Sequence, residues 1–224
     1  RSGSKRLPGK NIKVLNGKPL IQWSIESALG IDVVSRVMVS TDCEYIANIA
    51  LQSGAEVPFL RPKELSTDTC TSAAVIKHVL DYYKDQGEIF DYVLLLQPTS
   101  PLRNKKHNEQ AIALLSAKEA DAIVSVCECD HPPSWSNTLP ESMSMEYFIR
   151  DEIKNSRSQD LAQSYRLNGA IYLSKVRRFY EEGNLFLSSN IYAYIMDNES
   201  SVDIDHNLDF LLAEATFQYK ENNV

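Results

Sequence analysis

The strongest constraint on the fold is the run Asp91-Tyr92-Val93-Leu94-Leu95-Leu96-Gln97, which stops abruptly at Pro98-Thr99-Ser100-Pro101-Leu102-Arg103. A strand-length run with no polar alternation is apolar on both sides, so it reads as a central strand covered on both faces. The polar groups at its carboxyl end lie where open α/β sheets bind ligands. Around it the pattern alternates. Leu20, Ile21, Ser24, Ile25, Ala28 and Leu29 recur at helical spacing and stop at Gly30. Residues 36–42 read as a short buried strand, 44–53 as a helix closed by Gly54, and 56–60 as an edge strand carrying Pro58. Helices are expected over 72–83, 108–117 and from 207 to about 219, and strands over 122–127, 165–173 and 191–196. This order predicts a parallel sheet with crossover helices.

The 224 residues, 43% hydrophobic and 24% charged, are those of one ordinary globular α/β domain spanning 1–224. There is no apolar run near 18 residues, so no membrane span is expected. Cys43, Cys70, Cys127 and Cys129 lack disulfide or metal-site spacing, which points to buried packing in a reducing cytoplasm. A net charge of −7 argues against nucleic acid as a partner. Residues 131–160 break the rhythm. Pro132, Pro133, Trp135, Pro140, Met143, Met145, Tyr147 and Phe148 crowd an excursion too small to bury them, so a subunit contact is expected there.

Against this acidic background the first eleven residues, Arg1-Ser2-Gly3-Ser4-Lys5-Arg6-Leu7-Pro8-Gly9-Lys10-Asn11, hold four cations, two glycines and no carboxylate. Glycine lets a backbone turn its N–H groups onto one anion, and Arg and Lys add full charges that pair with phosphate oxygens. The spacing is not that of a Walker loop. A disordered basic tail has the same composition, but Pro8-Gly9 is a rigid turn and an amphipathic segment follows at once. A triphosphate site is the reading adopted. Such a loop works at the carboxyl end of a strand. An apolar strand of roughly six residues is therefore expected before Arg1, and the sequence is expected to be truncated there.

Near the other end, Asp203-Ile204-Asp205 places two carboxylates on one side of an extended segment. Two hard oxygen ligands completed by water and phosphate suit Mg²⁺; a pair of helix-capping acids before Asn207 is the plainer alternative. Gln97 and Asn168 are amides beside apolar strands and need partners, either a sugar acid or neighbouring backbone. Ser72 near a helix start ordinarily caps it, and Arg61 ordinarily makes a surface ion pair. The four histidines show no ligand spacing, and there is no Ser-His-Asp or Cys-His set for a hydrolase.

Five blocks then carry a resemblance: 1–11, Arg-Pro-x-Glu-Leu-x-Thr-Asp at 61–68, Leu-Leu-Gln-Pro-Thr-Ser-Pro-Leu-Arg at 95–103, Asn-Gly-Ala-Ile-Tyr at 168–172 and Ser-Val-Asp-Ile-Asp at 201–205. In this order, and over nearly the whole chain, they resemble the acylneuraminate cytidylyltransferases, with Tyr-Ile-Met-Asp-x-Glu-Ser-Ser at 194–201 resembling bacterial members. The resemblance implies a Rossmann-like, three-layer α/β nucleotidyltransferase, usually a homodimer. Such an enzyme joins CTP to a nine-carbon 2-keto-3-deoxy sugar acid with Mg²⁺ and releases pyrophosphate. N-acetylneuraminic acid is the favoured substrate; legionaminic, pseudaminic or 3-deoxy-manno-octulosonic acid, or nucleotide binding without turnover, are the alternatives. A metal-dependent glycosyltransferase is a further one. By the same resemblance Arg1 and Lys10 hold the triphosphate, and Ser4 and Lys5 line that loop. Arg61 and Ser72 lie at the nucleotide, Gln97 and Asn168 bind the sugar acid, and Asp203 and Asp205 hold Mg²⁺. The family's partner-subunit contribution comes from the 131–160 excursion, and the family begins with an apolar strand just before the Arg. Two departures bear on the sugar acid. A single Arg157 stands where many members carry a double Arg, and Ser134 stands where some relatives have Lys.

Overall fold

The computed structural model describes Gly3 and residues 6–222. A two-stranded hairpin, β1 (Val14–Leu15) and β2 (Lys18–Pro19), turns at Asn16-Gly17 with Leu15 opposite Lys18. Helices α1 (Leu20–Ala28), α2 (Glu44–Gln52) and α3 (Ser72–Asp85) precede strand β3 (Tyr92–Leu96). There follow α4 (Lys105–Ala117), β4 (Ala122–Glu128), β5 (Tyr165–Lys175), α5 (Val176–Glu182), β6 (Ile191–Ile195) and α6 (Asn207–Asn222).

The sheet runs β3-β5-β4-β6. It is mixed, which corrects the parallel sheet expected from the alternation. β4 and β6 are parallel, but β5 enters between β3 and β4 antiparallel to both. The excursion between β4 and β5 returns the chain without a crossover helix, so antiparallel pairing is open to β5. A second difference concerns β3, which among the described residues lies at one end of this order and pairs on one edge only. Its side chains nonetheless alternate between two layers. Leu94 and Leu96 pack with the cluster that holds Ala111 and Leu115 of α4, while Val93 and Leu95 pack with Ile76 and Leu80 of α3 and Phe179 of α5. That alternation is the three-layer arrangement.

Residues 36–42 and 56–60 are extended as expected, but they meet through two isolated parallel bridges, Met38 with Glu56 and Thr41 with Leu60, rather than a ladder. Residues 131–160 contain three short 3-10 turns and no strand. Leu139, Met143, Met145 and Tyr147 there are 46%, 67%, 60% and 82% exposed. No helix among the described residues is long and apolar enough to cross a membrane. All four cysteines are free thiols.

Candidate active site

A small hydrophobic cluster brings the two ends of the chain together. Leu7 of the glycine loop is buried with Leu15, Leu20, Leu102, Ile204 and Phe210. Gly9 turns the loop at φ 66°, a conformation glycine adopts without steric cost, and Lys10–Ile12 then form one 3-10 turn. Burying Leu7 beside Ile204 leaves Lys10 facing the residues that flank Ile204. Its Nζ donates to the Ile204 carbonyl at 2.7 Å and to Asp205 Oδ1 at 3.1 Å. Arg6 Nη1 reaches the other oxygen of the same carboxylate at 3.0 Å. Cationic loop and paired acids thus form one site.

The two aspartates have different surroundings. The hydrogen bond from Lys10 holds the Asp205 carboxyl below the usual carboxylate range. Asp203 is exposed as a residue and lies beside Gly169, but loss of water around its carboxylate raises its pKa, with neighbouring Asp205 adding to the rise; a hydrogen bond from the Thr99 side chain and the charge of Lys10 offset this only in part. The segment is fixed from behind: Ile204 N–H donates to the Thr99 carbonyl at 2.8 Å, and Asp209 at the start of α6 accepts from the N–H groups of Asp205 and His206 at 2.9 and 2.7 Å. Asp209 is thus the capping acid, which frees Asp203 and Asp205 from that role.

β5 supplies the opposite wall through a wide bulge. Val124 pairs with Tyr172 and Val126 with Leu167, so Ser125 of β4 faces four residues of β5, Asn168 to Ile171. Side chains replace the missing ladder. Ser125 Oγ accepts from Ile171 N–H at 2.7 Å and donates to Asn168 Oδ1 at 2.6 Å; Asn168 Oδ1 also accepts from Ala170 N–H at 3.2 Å. Asn168 Nδ2 donates to Ser201 Oγ at 2.9 Å, two residues before Asp203. Asn168 is 1% exposed. Its amide makes these bonds to protein partners and shapes the bulge. The residue so presented is Gly169, at φ 74°, where an added Cβ would lie 3.1 Å from Gln97 Oε1 and 3.8 Å from Asp203 Oδ2. Gln97 is therefore in the site. Its carbonyl accepts from Ser24 Oγ at 3.2 Å and Arg103 Nη2 at 3.4 Å.

The remaining candidates divide. Arg61 lies at the mouth of the neighbouring groove with Asn11, Ser24 and Pro98. Its Nε donates to Ser40 Oγ at 2.9 Å and its Nη2 to the Ser40 carbonyl. Ser72 is the exposed first residue of α3, and the cap is its neighbour Thr71, whose Oγ1 accepts from Ala74 N–H at 3.2 Å. Arg157 lies in the excursion, exposed and paired in a fork with Asp160 at 2.9 and 3.1 Å. Arg1, Ser4 and Lys5 lie outside the described residues. Arg6, Thr99, Gly169 and Ser125 were not singled out from sequence. Arg6 carried a signal as one of the loop's four cations, Thr99 as a polar group at the end of the apolar run and Gly169 as part of the 168–172 block; Ser125 carried none.

A profile of the family described as "Cytidylyltransferase" matches residues 1–221. The chain is 38% identical over 99% of its length to the N-acylneuraminate cytidylyltransferase of Escherichia coli O18:K1:H7, of which it spans 51%. It is 34% identical to the pseudaminic acid cytidylyltransferase of Campylobacter jejuni, over 100% of this chain and 94% of that one. It is 33% identical to the CMP-N,N'-diacetyllegionaminic acid synthase of Legionella pneumophila, over 99% and 94%. The chain thus spans about half of one of these curated relatives and nearly all of the other two. In fold it is similar to a CMP:2-keto-3-deoxy-manno-octonic acid synthetase solved with CTP, with a TM-score of 0.70 at 19% identity over 98% of this chain and 96% of that one. With its full-length match and its glycine loop closed onto paired aspartates, the chain belongs to the cytidylyltransferase family.

Proposed function

We propose that the chain transfers a cytidylyl group from CTP to a nine-carbon 2-keto-3-deoxy sugar acid, N-acetylneuraminic acid foremost. The observation that carries this reading is the 3.1 Å contact of Lys10 with Asp205, which joins a phosphate-binding loop to a pair of acids beside Gln97 and Gly169. In the reaction the anomeric oxygen of the sugar bonds to the α-phosphorus, the bond from that phosphorus to the bridging oxygen breaks, and pyrophosphate leaves. Lys10, Arg6 and the loop residues Arg1 and Lys5 meet the anionic triphosphate. Electrostatic stabilisation of this kind acts on charge that develops on the transferred phosphoryl and the leaving group. Asp203 or Asp205 would assist removal of the proton of the anomeric hydroxyl; the raised proton affinity of Asp203 on desolvation supports the first. Gln97 orients the sugar acid against Gly169.

The acids also fit Mg²⁺. Asp203 and Asp205 offer hard oxygens, and the desolvation that raises the pKa of Asp203 supports a cation beside it. Among the described residues no group of three or more His, Cys, Asp or Glu forms a metal cage. The rest of the shell would come from water and phosphate, as Mg²⁺ prefers. When bound it would supply charge neutralisation on the triphosphate. The exposed Leu139, Met143, Met145 and Tyr147 support a homodimer formed through residues 131–160. Four free thiols support a reducing, cytoplasmic setting.

The test is pyrophosphate release from CTP and Mg²⁺ with N-acetylneuraminic, legionaminic, pseudaminic and 3-deoxy-manno-octulosonic acids in turn. Release with N-acetylneuraminic acid is expected. Release with another acid alone would reassign the substrate, and CTP binding without release from any would leave a nucleotide-binding protein.

A further inference from the structure

Arg103 ends the polar run that follows β3, and it is 1% exposed. Its guanidinium meets only neutral oxygens. Nη1 donates to Ser27 Oγ, and Nη2 donates to Ser24 Oγ at 2.7 Å and to the Gln97 carbonyl at 3.4 Å. Nε finds no hydrogen-bond partner, and no carboxylate among the described residues pairs with the group. Burial alone pushes its pKa down to about 9, so it stays charged at neutral pH. A buried charge without an acid is unfavourable for a fold. Nor do its acceptors depend on it. Ser24 Oγ itself donates to the Gln97 carbonyl, and Ser27 Oγ donates to the Ser24 carbonyl at 2.8 Å. An apolar side chain of the same length would fill the space and strand no partner.

We propose that Arg103 is a positioning residue of the candidate active site: it locks the double turn 97–103 and so fixes Gln97 against residues 203–205. Two turns follow one another here. The N–H of Ser100 donates to the Gln97 carbonyl and that of Arg103 to the Ser100 carbonyl, both at 3.3 Å, with Pro98 and Pro101 second in each turn. The first turn touches the site twice. Gln97 Oε1 faces Gly169, while the Thr99 carbonyl accepts from Ile204 N–H at 2.8 Å and the Thr99 side chain bonds to Asp203. A single backbone bond closes each turn, which is a weak restraint. Arg103 adds a planar fork that grips the Gln97 carbonyl on one side and two serines of α1 on the other. The turn is thereby tied to a helix, and the part that meets the sugar acid keeps its distance from the part that meets the acids. The inference deepens the cytidylyl-transfer reading and rests on it.

The experiment compares the unaltered chain with Arg103→Met, Arg103→Lys and Ser24→Ala. Amide exchange needs no turnover. In Arg103→Met it is expected to speed about tenfold at Ser100 and Ile204, with Leu173 of β5 unchanged. With CTP, Mg²⁺ and the sugar acid that the unaltered chain turns over, kcat is expected to fall on the order of 10²-fold. The KM of the sugar acid should rise and that of CTP stay the same. Lysine keeps the charge but not the fork, so Arg103→Lys is expected to resemble Arg103→Met. Should Arg103→Met fail to fold, Ser24→Ala removes one acceptor of the fork and keeps the charge, and the same pattern is expected to a lesser degree. Unchanged exchange at Ser100 and Ile204, unchanged kinetics, or full activity in Arg103→Lys would each overturn the proposal. An unaltered chain that releases no pyrophosphate with any acid would instead remove the reaction reading, and exchange at Ser100 and Ile204 would still decide whether Arg103 holds the turn.

Discussion

Replacing Lys10 by Met separates what this residue does for the fold from what it does for a triphosphate. The substitution keeps the apolar stem and removes a charge whose side chain is 13% exposed, paired with an Asp205 carboxylate that is 45% exposed. A half-exposed pair of this kind contributes about 1 kcal/mol or less after screening, and the bond to the Ile204 carbonyl adds about 1 kcal/mol. In a domain of this size each kcal/mol moves the melting temperature by about 2–4 °C, so a fall of no more than about 8 °C is expected. Loss of a preorganised charge facing a transferred phosphoryl costs far more in rate, on the order of 10²–10³-fold. Lys13 is the matched control. Its Nζ makes a similar contact, 3.1 Å to Asn207 Oδ1, and lies 4.1 Å from the centre of the Phe210 ring, outside the pair of acids. Initial rates of pyrophosphate release at varied CTP, with melting curves for each variant, give both quantities. A drop in kcat/KM below about tenfold for Lys10→Met, or an equal drop for Lys13→Met, would refute the reasoning.

Other perturbations should follow the same geometry. Asn168→Ala leaves Ser125, Ala170 and Ser201 short of partners in a buried bulge and should cost about 2–3 kcal/mol in denaturant titration; a loss confined to the KM of the sugar acid would return Asn168 to the substrate. Gly169→Ala places a Cβ against Gln97 at positive φ, so a raised KM for the sugar acid with a stability loss of about 1–2 kcal/mol is expected, and unchanged kinetics would remove Gln97 from the site. Asp121 is held below the usual carboxylate range by the hydrogen bond from Lys175 at 2.8 Å. Its stabilisation is thus present above the unfolded pKa of about 3.9 and is lost as pH falls through the lower folded value. Asp121→Asn should reduce stability at pH 7 and flatten its decline below about pH 4; parallel acid-denaturation curves would contradict this.

Helices were the most legible part of the fold. The repeat of Ile76, Leu80 and Tyr83 buries one face of α3, and that period is written locally. Its cap was misplaced by one residue because Thr71 and Ser72 have the same chemistry. Sheet order was less legible, since an apolar run shows that both faces are covered but not which edges are paired. Among the described residues β3 has both faces covered and one edge paired, and β5 sits antiparallel beside it for reasons set by the distant 131–160 excursion. Lys10, Asp203 and Asp205 were legible because charge stands out in an acidic chain and because alternate residues share a side. Their convergence needed Leu7 and Ile204 to be buried together, which only the tertiary structure reveals. Asn168 was noticed for the right reason, a buried amide that must be satisfied, yet its partners are Ser125, Ala170 and Ser201.

A double-mutant cycle in kcat/KM for CTP, with Lys10→Met, Asp203→Asn and both together, asks whether the two chain ends act on one nucleotide. If they do, the second substitution costs less in the background of the first, with a coupling of about 1 kcal/mol or more. Additivity to within about 0.5 kcal/mol would mean that loop and acids work apart.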